Sequence, residues 1–403
     1  MSVNLRNKVA VIGGGLIRFG ELYDKSFGDM MSEAYLNCLD SIDKGIDPKE
    51  INAAWYGTVR GPATGSIAGT LLGLGGIPIT RIENACATGS DTFRNACFAV
   101  AAGLYDVALV VGCEKMLDRP GGLIGLDRSG PRYFDMFALT MPSAFGVYGT
   151  RHMHVFGTER KHFAMIAVKN HYYGKMNPLS HFRREITVEQ VLDAPIISWP
   201  MGLYDCCPVT DGAAAVIICR EELTTKYTDS PVYVLGSGLA VQPTRLGLRN
   251  DFTSMMPAVW AAQQAYKMGK VGPDDIDFAE VHDCFTCTEL IQYEDLGFCK
   301  KGEAKTFVEN QEMYIGGKHP VNVSGGLKSH GHPIGTTGVA QIVELFWQLR
   351  NEAGGSPKGA GGLAVSDPSG KRQIPNAEIG LQQNIGGAGP QVSCINILSN
   401  KKR

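Results

Sequence analysis

Helical and strand-like patterns of apolar residues alternate along this chain. Apolar residues recur at helical spacing over 24–44 and 88–103, and a short β-branched or aromatic run follows each of them, near 52–57 and at 106–112. The order returns after residue 230 with the strand VYVLG, a helix near 257–268, the strand DFAEV, a helix near 286–296 and a helix over about 336–351. This alternation predicts an α/β fold built in layers.

Two pairs of segments resemble each other across the chain. GIDPKEINAAWYG at 45–57 aligns with KVGPDDIDFAEVH at 270–282, each with a proline turn, an isoleucine and a strand. CATGSDTFRNACFAV aligns with IGTTGVAQIVELFW, each with a Thr-Gly turn that opens an amphipathic helix. Because both pairs occur in the same order, they predict a duplicated βαβ unit and two similar halves packed together.

The middle of the chain has a different composition. Arginine, histidine, proline and aromatic residues crowd into 118–198 with little strand pattern, which predicts an inserted loop domain between an N-terminal half (1–117 with 199–228) and a C-terminal half (229–403). Nine Phe or Tyr residues fall within 133–173. They indicate either a dimer contact or small local core, or an apolar wall for an acyl group.

Composition narrows the class of protein. A length of 403 residues allows two or three structural units, and 38 basic against 40 acidic groups give a net charge of −2, which does not favour nucleic-acid binding. The uncharged stretch between Arg60 and Arg81 contains six glycines and two prolines, so no membrane span is predicted. Eleven cysteines without a secretory leader indicate reduced thiols and a cytoplasmic location.

The motif NACATGS places Cys86 between a predicted strand end and a predicted helix start. A helix N-terminus offers unpaired N–H groups and a favourable dipole, so the pKa of this thiol is predicted to fall below about 8.5 and the same N–H groups could bind an oxyanion. The pattern therefore predicts a nucleophile. The alternative is that Cys86 is an ordinary cysteine buried in the core.

The motif EVHDCFTCTEL places His282 and Cys284 directly after the strand DFAEV. Strand ends of open α/β sheets are where ligands bind, so these side chains are candidate catalytic groups. Cys284 and Cys287 also form a CxxC, which is typical of a redox pair or half a zinc site. Since Cys206 and Cys207 are adjacent and do not supply a second spaced pair, no metal cofactor is predicted.

The motif SGGLKSHGHPIGTTG holds His332 between a glycine and Pro333, just before the last predicted helix. An imidazole there could hold Cys86 as a thiolate or donate to an oxyanion. His330 is predicted to face away. The turn QQNIGGAG at 382–389 offers backbone amides for a second oxyanion site.

The segment GGGLIRFG at 13–20 resembles a dinucleotide-binding loop. Arg18 stands where the third glycine of that fingerprint belongs, so nicotinamide binding is not predicted. A buried strand and turn explain the segment better.

The motifs NACATGS, HDCF, SGGLKSHGHPIGTTG and NIGGAG stand in the order and spacing found in thiolases, and this resemblance covers essentially the whole chain. The chain is most similar to the sterol-carrier-protein-linked branch, because HDCF stands where other thiolases have an asparagine motif. The resemblance implies the thiolase fold, two five-layered βαβαβ halves with a loop domain, assembled as a homodimer. It also implies an acyl-CoA acyltransferase that uses coenzyme A as substrate and holds no bound cofactor.

The resemblance implies roles for the candidate residues. Cys86 would be the acylated nucleophile, and His332 its activating base and an oxyanion donor with His282. Cys284 would be the acid and base at the α-carbon of the acetyl-CoA-like moiety. The backbone N–H groups of Cys86 and Gly386 would form the second oxyanion hole.

The chain departs from the common thiolase pattern in NIGGAG. Many thiolases carry their second cysteine there, where this chain has Asn384, and close relatives often have a histidine where it has Gln383. These departures leave Cys284 as the candidate for the second acid and base.

The biological setting is predicted from resemblance alone. No lipid-transfer domain follows the thiolase region, which is typical of prokaryotic stand-alone versions, and such relatives often work with a small accessory subunit that combines a zinc ribbon and an OB-fold barrel. The sequence predicts cleavage of a 3-oxoacyl-CoA or the reverse Claisen condensation, with a bulky or aromatic substrate such as benzoylsuccinyl-CoA suggested by the aromatic residues. The alternatives are an acetoacetyl-CoA thiolase in a complex with a downstream enzyme, a ketoacyl-synthase-like condenser, and a non-catalytic scaffold subunit.

Overall fold

A mixed β-sheet forms the centre of the fold. A computed structural model describes residues 4–61, 64–118, 140–243, 245–363 and 370–403 of the chain. The strands of the sheet are β1 (Val9–Leu16), β2 (Ala53–Gly57), β3 (Ile79–Ile82), β4 (Val107–Glu114), β7 (Gly212–Arg220), β8 (Val232–Val241), β9 (Phe278–Glu280), β10 (Ile379–Gly386) and β11 (Val392–Ser399). Two further short strands, β5 (Ile196–Ser198) and β6 (Met201–Gly202), pair only with each other in the described residues.

The order of strands shows the duplication. Across the sheet the strands lie in the order β3-β2-β4-β7-β1-β8-β11-β10-β9. In the first half β2 is parallel to β4, and β7 is antiparallel to both β4 and β1; in the second half β9 is parallel to β10, and β11 is antiparallel to both β10 and β8. The halves meet where β1 pairs with β8. The predicted duplicated halves are therefore present as two copies of one strand pattern.

Helices cover both faces of this sheet. They are α1 (Phe27–Asp40), α2 (Gly65–Leu72), α3 (Thr88–Ala101), α4 (Met141–Phe156), α5 (Arg160–Met176), α6 (Val188–Asp193), α7 (Thr224–Tyr227), α8 (Met256–Gly269), α9 (Thr286–Asp295), α10 (Ala304–Glu309), α11 (Gly326–Ser329) and α12 (Thr337–Leu349). Helix α1 packs on β1 and β7, α8 packs on β8 and β11, and α3 and α12 pack on each other between the two halves of the sheet. This layering is that of the thiolase fold.

Helices α3 and α12 cross where each has a glycine. A Cβ added to Gly89 would lie 2.8 Å from the backbone nitrogen of Gly338, and one added to Gly338 would lie 2.1 Å from that of Ser90. Any larger side chain would push the helices apart. The Thr-Gly turns that align in the sequence are thus the two sides of one contact.

Helix α12 is buried along its whole length, because it lies inside the molecule rather than on its surface. Its polar side chains have buried partners. Glu344, for example, pairs with Arg372, whose Nη1 lies 3.1 Å from the Glu344 Oε1. A buried charge is stable only with such a partner.

The burial of strand β1 against α1 explains the three consecutive glycines at 13–15. All eight of its residues are buried, and a Cβ on Gly15 would lie 2.2 Å from the backbone nitrogen of Cys38 in α1. The glycines therefore let α1 approach the strand closely, as expected of a buried strand.

The regularly patterned segments form the elements that the sequence predicts. The helices predicted over 24–44, 88–103, 257–268, 286–296 and 336–351 are α1, α3, α8, α9 and α12, with ends that differ by a few residues. The prediction for 118–198 missed helices α4 and α5. The domain limits stay a prediction.

The aromatic residues of 133–173 are mostly core residues where the structure describes them. Tyr148, Phe163 and Tyr173 are buried, and Phe145 lines the cavity described below. Tyr133, Phe134 and Phe137 lie outside the described residues. A local core accounts for most of the described part of this cluster.

Within the described ranges, no helix has both the length and the apolar character that a bilayer crossing requires.

Candidate active site

Cys86 lies in a tight turn between β3 and α3. Ala85 has a φ of 50°, in the left-handed region that a residue with a side chain seldom adopts. The hydroxyl of Thr88 accepts a hydrogen bond from the Asn84 N–H (2.8 Å) and donates to the Ala85 carbonyl (2.6 Å). These bonds hold the strained turn and aim Cys86 at a cavity between the two halves.

His282 and Cys284 lie in the connection between β9 and α9. The His282 N–H donates to Oε1 of Gln383 (2.9 Å), and the Cys284 carbonyl accepts from the Cys207 N–H (3.0 Å). Between them, the Asp283 carboxylate accepts from the N–H groups at the start of α11, at 2.7 Å from Leu327. The connection is therefore tied to three other segments.

His332 lies in the connection between α11 and α12. Its Nδ1 is 2.8 Å from the hydroxyl of Thr337, and that hydroxyl lies 3.0 Å from the carbonyl of Pro333. Because a carbonyl only accepts, the hydroxyl gives its proton to Pro333 and accepts from Nδ1–H. The Nε2 atom of His332 then carries a free lone pair, which is what a general base requires.

The two halves bring the candidate groups into one cavity of about 60 Å³. Cys86, His282, Cys284 and His332 all line it. The Cys86 Sγ and one ring nitrogen of each histidine lie within 4.8 Å of one another, and the two imidazole rings meet edge to face with centroids 5.0 Å apart. Within the described part of the chain, Nε2 of His332 and Nδ1 of His282 are buried without a hydrogen-bond partner.

The cavity walls are largely apolar. Their remaining side chains are those of Met141, Phe145, Cys207, Pro208, Val209, Phe285, Ile334 and Ile385, and Gly387 adds backbone. Hydrogen bonds made beside such a lining are stronger than hydrogen bonds made in solvent.

Burial keeps the reactive groups neutral. Desolvation lowers the pKa of His332 to about 3 and that of His282 well below its ordinary value. Burial likewise raises the pKa of the Cys86 thiol to about 12, although the N–H of Gly387 donates to this sulfur and favours its thiolate. The prediction that the helix N-terminus lowers the Cys86 pKa is therefore wrong, because the loss of hydration outweighs the backbone hydrogen bonds to the sulfur.

A neutral thiol beside a neutral imidazole has a chemical consequence. Cys86 loses its proton as it attacks, and His332 is the neighbouring group with an unpaired nitrogen to receive it. Burial raises the pKa of Cys284 well above its usual value, so this side chain also holds its proton and can act as an acid. The roles of the four residues remain predictions.

The backbone donor in the NIGGAG turn lies at Gly387. Its N–H reaches the Cys86 sulfur, and it lines the cavity. Gly386, which the resemblance implies as an oxyanion donor, precedes it in the chain. A Cβ added to Gly386 would lie 2.6 Å from the Asn84 carbonyl oxygen. The role of Gly386 as an oxyanion donor stays a prediction, and Gly387 is a donor that sequence reasoning missed.

Two residues that depart from the thiolase pattern have structural partners. Oδ1 of Asn384 accepts from the Ser90 hydroxyl (2.8 Å), and its Nδ2 donates to Oε1 of Gln341 (2.6 Å), so it joins α3 to α12. Gln383 supports His282 through the bond described above. Asn384 therefore lies outside the cavity.

The remaining sequence candidates lie elsewhere. His330 stacks on Phe19, with ring centroids 4.7 Å apart. Cys287 is buried against the sulfur of Met201 at 3.4 Å and does not line the cavity, so the CxxC spacing does not bring two thiols to one site. Cys207, by contrast, lines the cavity although no motif identified it.

Removing the Thr337 hydroxyl tests the orientation of His332. We expect Thr337→Val to lower kcat roughly tenfold, because the variant loses one hydrogen bond, worth about 1 to 1.5 kcal/mol, that holds the Nδ1–H tautomer. Thr336→Val is a matched control, since its hydroxyl donates to the Gly212 carbonyl and not to a histidine. Steady-state kinetics with equal loss of kcat in both variants would contradict this role.

Comparison with known proteins agrees with this fold. The chain matches the thiolase N-terminal domain model over residues 9–222 and the thiolase C-terminal domain-like model over residues 238–400. It is 40% identical over 388 residues to acetyl-CoA acetyltransferase of Methanothermobacter thermautotrophicus, covering 94% of this chain and 97% of the relative. It is 35% identical to sterol carrier protein 2 of Bos taurus, covering 96% of this chain and 72% of the relative.

Solved structures agree on the fold. The Ltp2-ChsH2(DUF35) aldolase superposes with a TM-score of 0.85 at 23% identity, over 100% of both chains. Human mitochondrial 3-ketoacyl-CoA thiolase superposes with a TM-score of 0.70 at 18% identity, over 99% of both chains. The chain thus belongs to the thiolase family of acyltransferases, in the branch of the sterol carrier protein 2 thiolases.

Proposed function

We propose that this protein cleaves a short 3-oxoacyl-CoA with coenzyme A, or forms one by the reverse Claisen condensation, through an acyl group carried on Cys86. The observation that carries the proposal is the meeting of the Cys86 sulfur with a nitrogen of His282 and one of His332 within 4.8 Å, beside Cys284 in one cavity.

In the cleavage direction, His332 Nε2 takes the Cys86 proton as the sulfur attacks the 3-oxo carbon. The bond between C2 and C3 then breaks, and the electron pair passes to the acetyl-CoA enolate. Cys284 gives its proton to C2, which completes acetyl-CoA. The thiol of coenzyme A then gives its proton to the Cys284 thiolate as its sulfur bonds to the acyl carbon. The bond between that carbon and the Cys86 sulfur breaks, and the sulfur takes back the proton held by His332.

Donors are present for both developing negative charges. We assign the acyl oxygen to the N–H groups at Cys86 and Gly386, with that of Gly387, which reaches the Cys86 sulfur. We assign the enolate oxygen to His282 and His332, which line the same cavity. Donors that stabilise developing charge inside a largely apolar cavity contribute strongly to rate.

The size of the cavity supports a short acyl group. Its 60 Å³ holds about four to six water molecules, since each occupies about 10 to 15 Å³ by this measure. Met141 and Phe145 close one side. An acetyl group fits this space better than a phenyl ring does, so acetoacetyl-CoA is the proposed substrate, ahead of benzoylsuccinyl-CoA.

A substrate panel tests the acyl group. We expect kcat/KM to be at least tenfold lower for an aryl 3-oxoacyl-CoA than for acetoacetyl-CoA. Phe145→Ala should reduce this difference between the two substrates, because it enlarges the cavity. Phe163→Leu, a change to a buried aromatic that does not line the cavity, serves as the control. Preference of the unmodified enzyme for the aryl substrate would contradict the proposal.

Coenzyme A enters this scheme as a substrate, and no resident cofactor is needed. Human mitochondrial 3-ketoacyl-CoA thiolase has been solved in complex with CoA, which supports this use of the fold. We place the enzyme in the cytoplasm, because its eleven cysteines are free thiols.

We also propose a homodimer that works with a small accessory subunit containing a zinc ribbon and an OB-fold. The support is the structural similarity to the Ltp2-ChsH2(DUF35) aldolase, whose name joins two components. Purification from the native host should recover the chain at dimer mass or larger, with a second small protein at constant ratio. Recovery of a lone monomer would contradict this part of the proposal.

A further inference from the structure

The cavity holds a set of sulfur and nitrogen donors that suits a soft metal ion. The sulfur of Cys86 and one nitrogen each of His282 and His332 lie within 4.8 Å of one another. A tetrahedral zinc ion has bonds of about 2.3 Å to sulfur and 2.0 to 2.1 Å to nitrogen, which puts its ligand atoms about 3.3 to 3.6 Å apart. The donors are therefore at most about 1.5 Å farther apart than a bound ion requires.

Each histidine also has a ring nitrogen with no bond to another group. Among the residues that the structure describes, Nδ1 of His282 and Nε2 of His332 are buried without a hydrogen-bond partner, and the two residues are 1% and 5% exposed. A buried polar atom without a partner costs free energy that a ligand can recover.

The cavity of about 60 Å³ has room for the ion and one water.

We propose that Cys86, His282 and His332 bind a divalent cation of the zinc class, with water as the fourth ligand, as an inhibitor of acyl transfer. On binding, the Cys86 sulfur loses its proton to solvent and forms a bond to the metal, and the two imidazoles each contribute a lone pair. No oxidation or reduction takes place. The ion is not a cofactor, since it occupies the sulfur that carries the acyl group.

Metal and acyl group are therefore mutually exclusive. Acyl-CoA should protect the site from the metal, and the metal should protect Cys86 from alkylation. The binding proposal rests on the placement of three side chains, whereas the inhibition also rests on the proposed role of Cys86.

Binding is measured without turnover. Chelator-treated protein is titrated with Zn²⁺ against a chromogenic chelator, and with Co²⁺ to record the thiolate charge-transfer absorption and tetrahedral bands. We expect one ion per chain and a loss of at least tenfold in affinity in Cys86→Ser and in His332→Gln. Cys206→Ser is the matched control, because Cys206 is also half-buried but its thiol bonds to the Gly202 carbonyl, outside the cavity. This control should bind the ion normally.

An experiment on the unmodified protein guards against variants that fail to fold. One equivalent of Zn²⁺ should slow alkylation of the Cys86 peptide by iodoacetamide at least tenfold and leave the Cys206 peptide unchanged, as read by mass spectrometry. Equal affinity in Cys86→Ser and Cys206→Ser, or unprotected Cys86, would overturn the proposal.

The two proposals fail separately. A protein that binds Zn²⁺ at Cys86 but never forms an acyl adduct keeps the metal site and overturns the proposed function. A protein that forms the adduct but does not bind Zn²⁺ keeps the function and overturns the metal site.

Discussion

Cys86→Ala is expected to abolish the acyl-enzyme and to lower kcat by roughly four to six orders of magnitude, as removal of a covalent nucleophile does in other enzymes. The physical reason is geometric. Cys86 is held by a strained turn beside Nε2 of His332, and the N–H of Gly387 reaches its sulfur.

The measurement is mass spectrometry of the peptides after incubation with acyl-CoA, together with steady-state kinetics. Cys206→Ala, which removes a thiol of similar exposure, should keep both the adduct and the turnover. An adduct on Cys97 or Cys113, with Cys86 unmodified in the parent enzyme, would contradict the assignment.

Cys284→Ala is expected to separate the two halves of the reaction. Acylation of Cys86 should persist at a reduced rate, whereas carbon–carbon bond cleavage should fall by roughly 10² to 10⁴, the usual contribution of a general acid. The reason is that Cys284 keeps its proton in the buried cavity, and C2 of the leaving enolate is the atom that needs one.

Acetyl-CoA labelling of Cys86 and thiolysis of acetoacetyl-CoA are measured side by side. Cys287→Ala is the matched control, because Cys287 is three residues away and buried but does not line the cavity. If Cys284→Ala keeps near-normal thiolysis, the role of Cys284 is wrong, and Cys207, which shares the cavity, becomes the thiol to substitute next.

The fold was predictable where residues repeat with a regular period. Helix α8 and the first five residues of strand β4 are examples, because their buried positions carry only apolar residues or glycine. Helices α4 and α5 were missed because their buried faces include polar residues. In α5, Lys169 is completely buried, and it is paired with Glu289 of α9 and bonded to the carbonyl of Val321. A buried lysine breaks the apolar pattern, and its partner lies far away in the sequence.

The site was predictable in its residues but not in its electrostatics. The motifs name Cys86, His282, Cys284 and His332, and the structure places them in one cavity. The direction of the Cys86 pKa shift was missed because the helix dipole is a local property, whereas the desolvation of the thiol depends on walls supplied by distant segments. Cys207 was missed because its place in the cavity also depends on segments that are distant in the sequence.

Helices α3 and α12 cross at Gly89 and Gly338, so this one contact sets the position of both helices. Cys86 lies just before α3, and His332 lies just before α12. A methyl group added at either glycine would push the helices apart and increase the distance between the Cys86 sulfur and the His332 imidazole. The duplication thus yielded one asymmetric catalyst rather than two symmetric ones. Each half could acquire its own reactive group before its helix begins. At the crossing, neither Gly89 nor Gly338 has room for a side chain larger than a hydrogen atom.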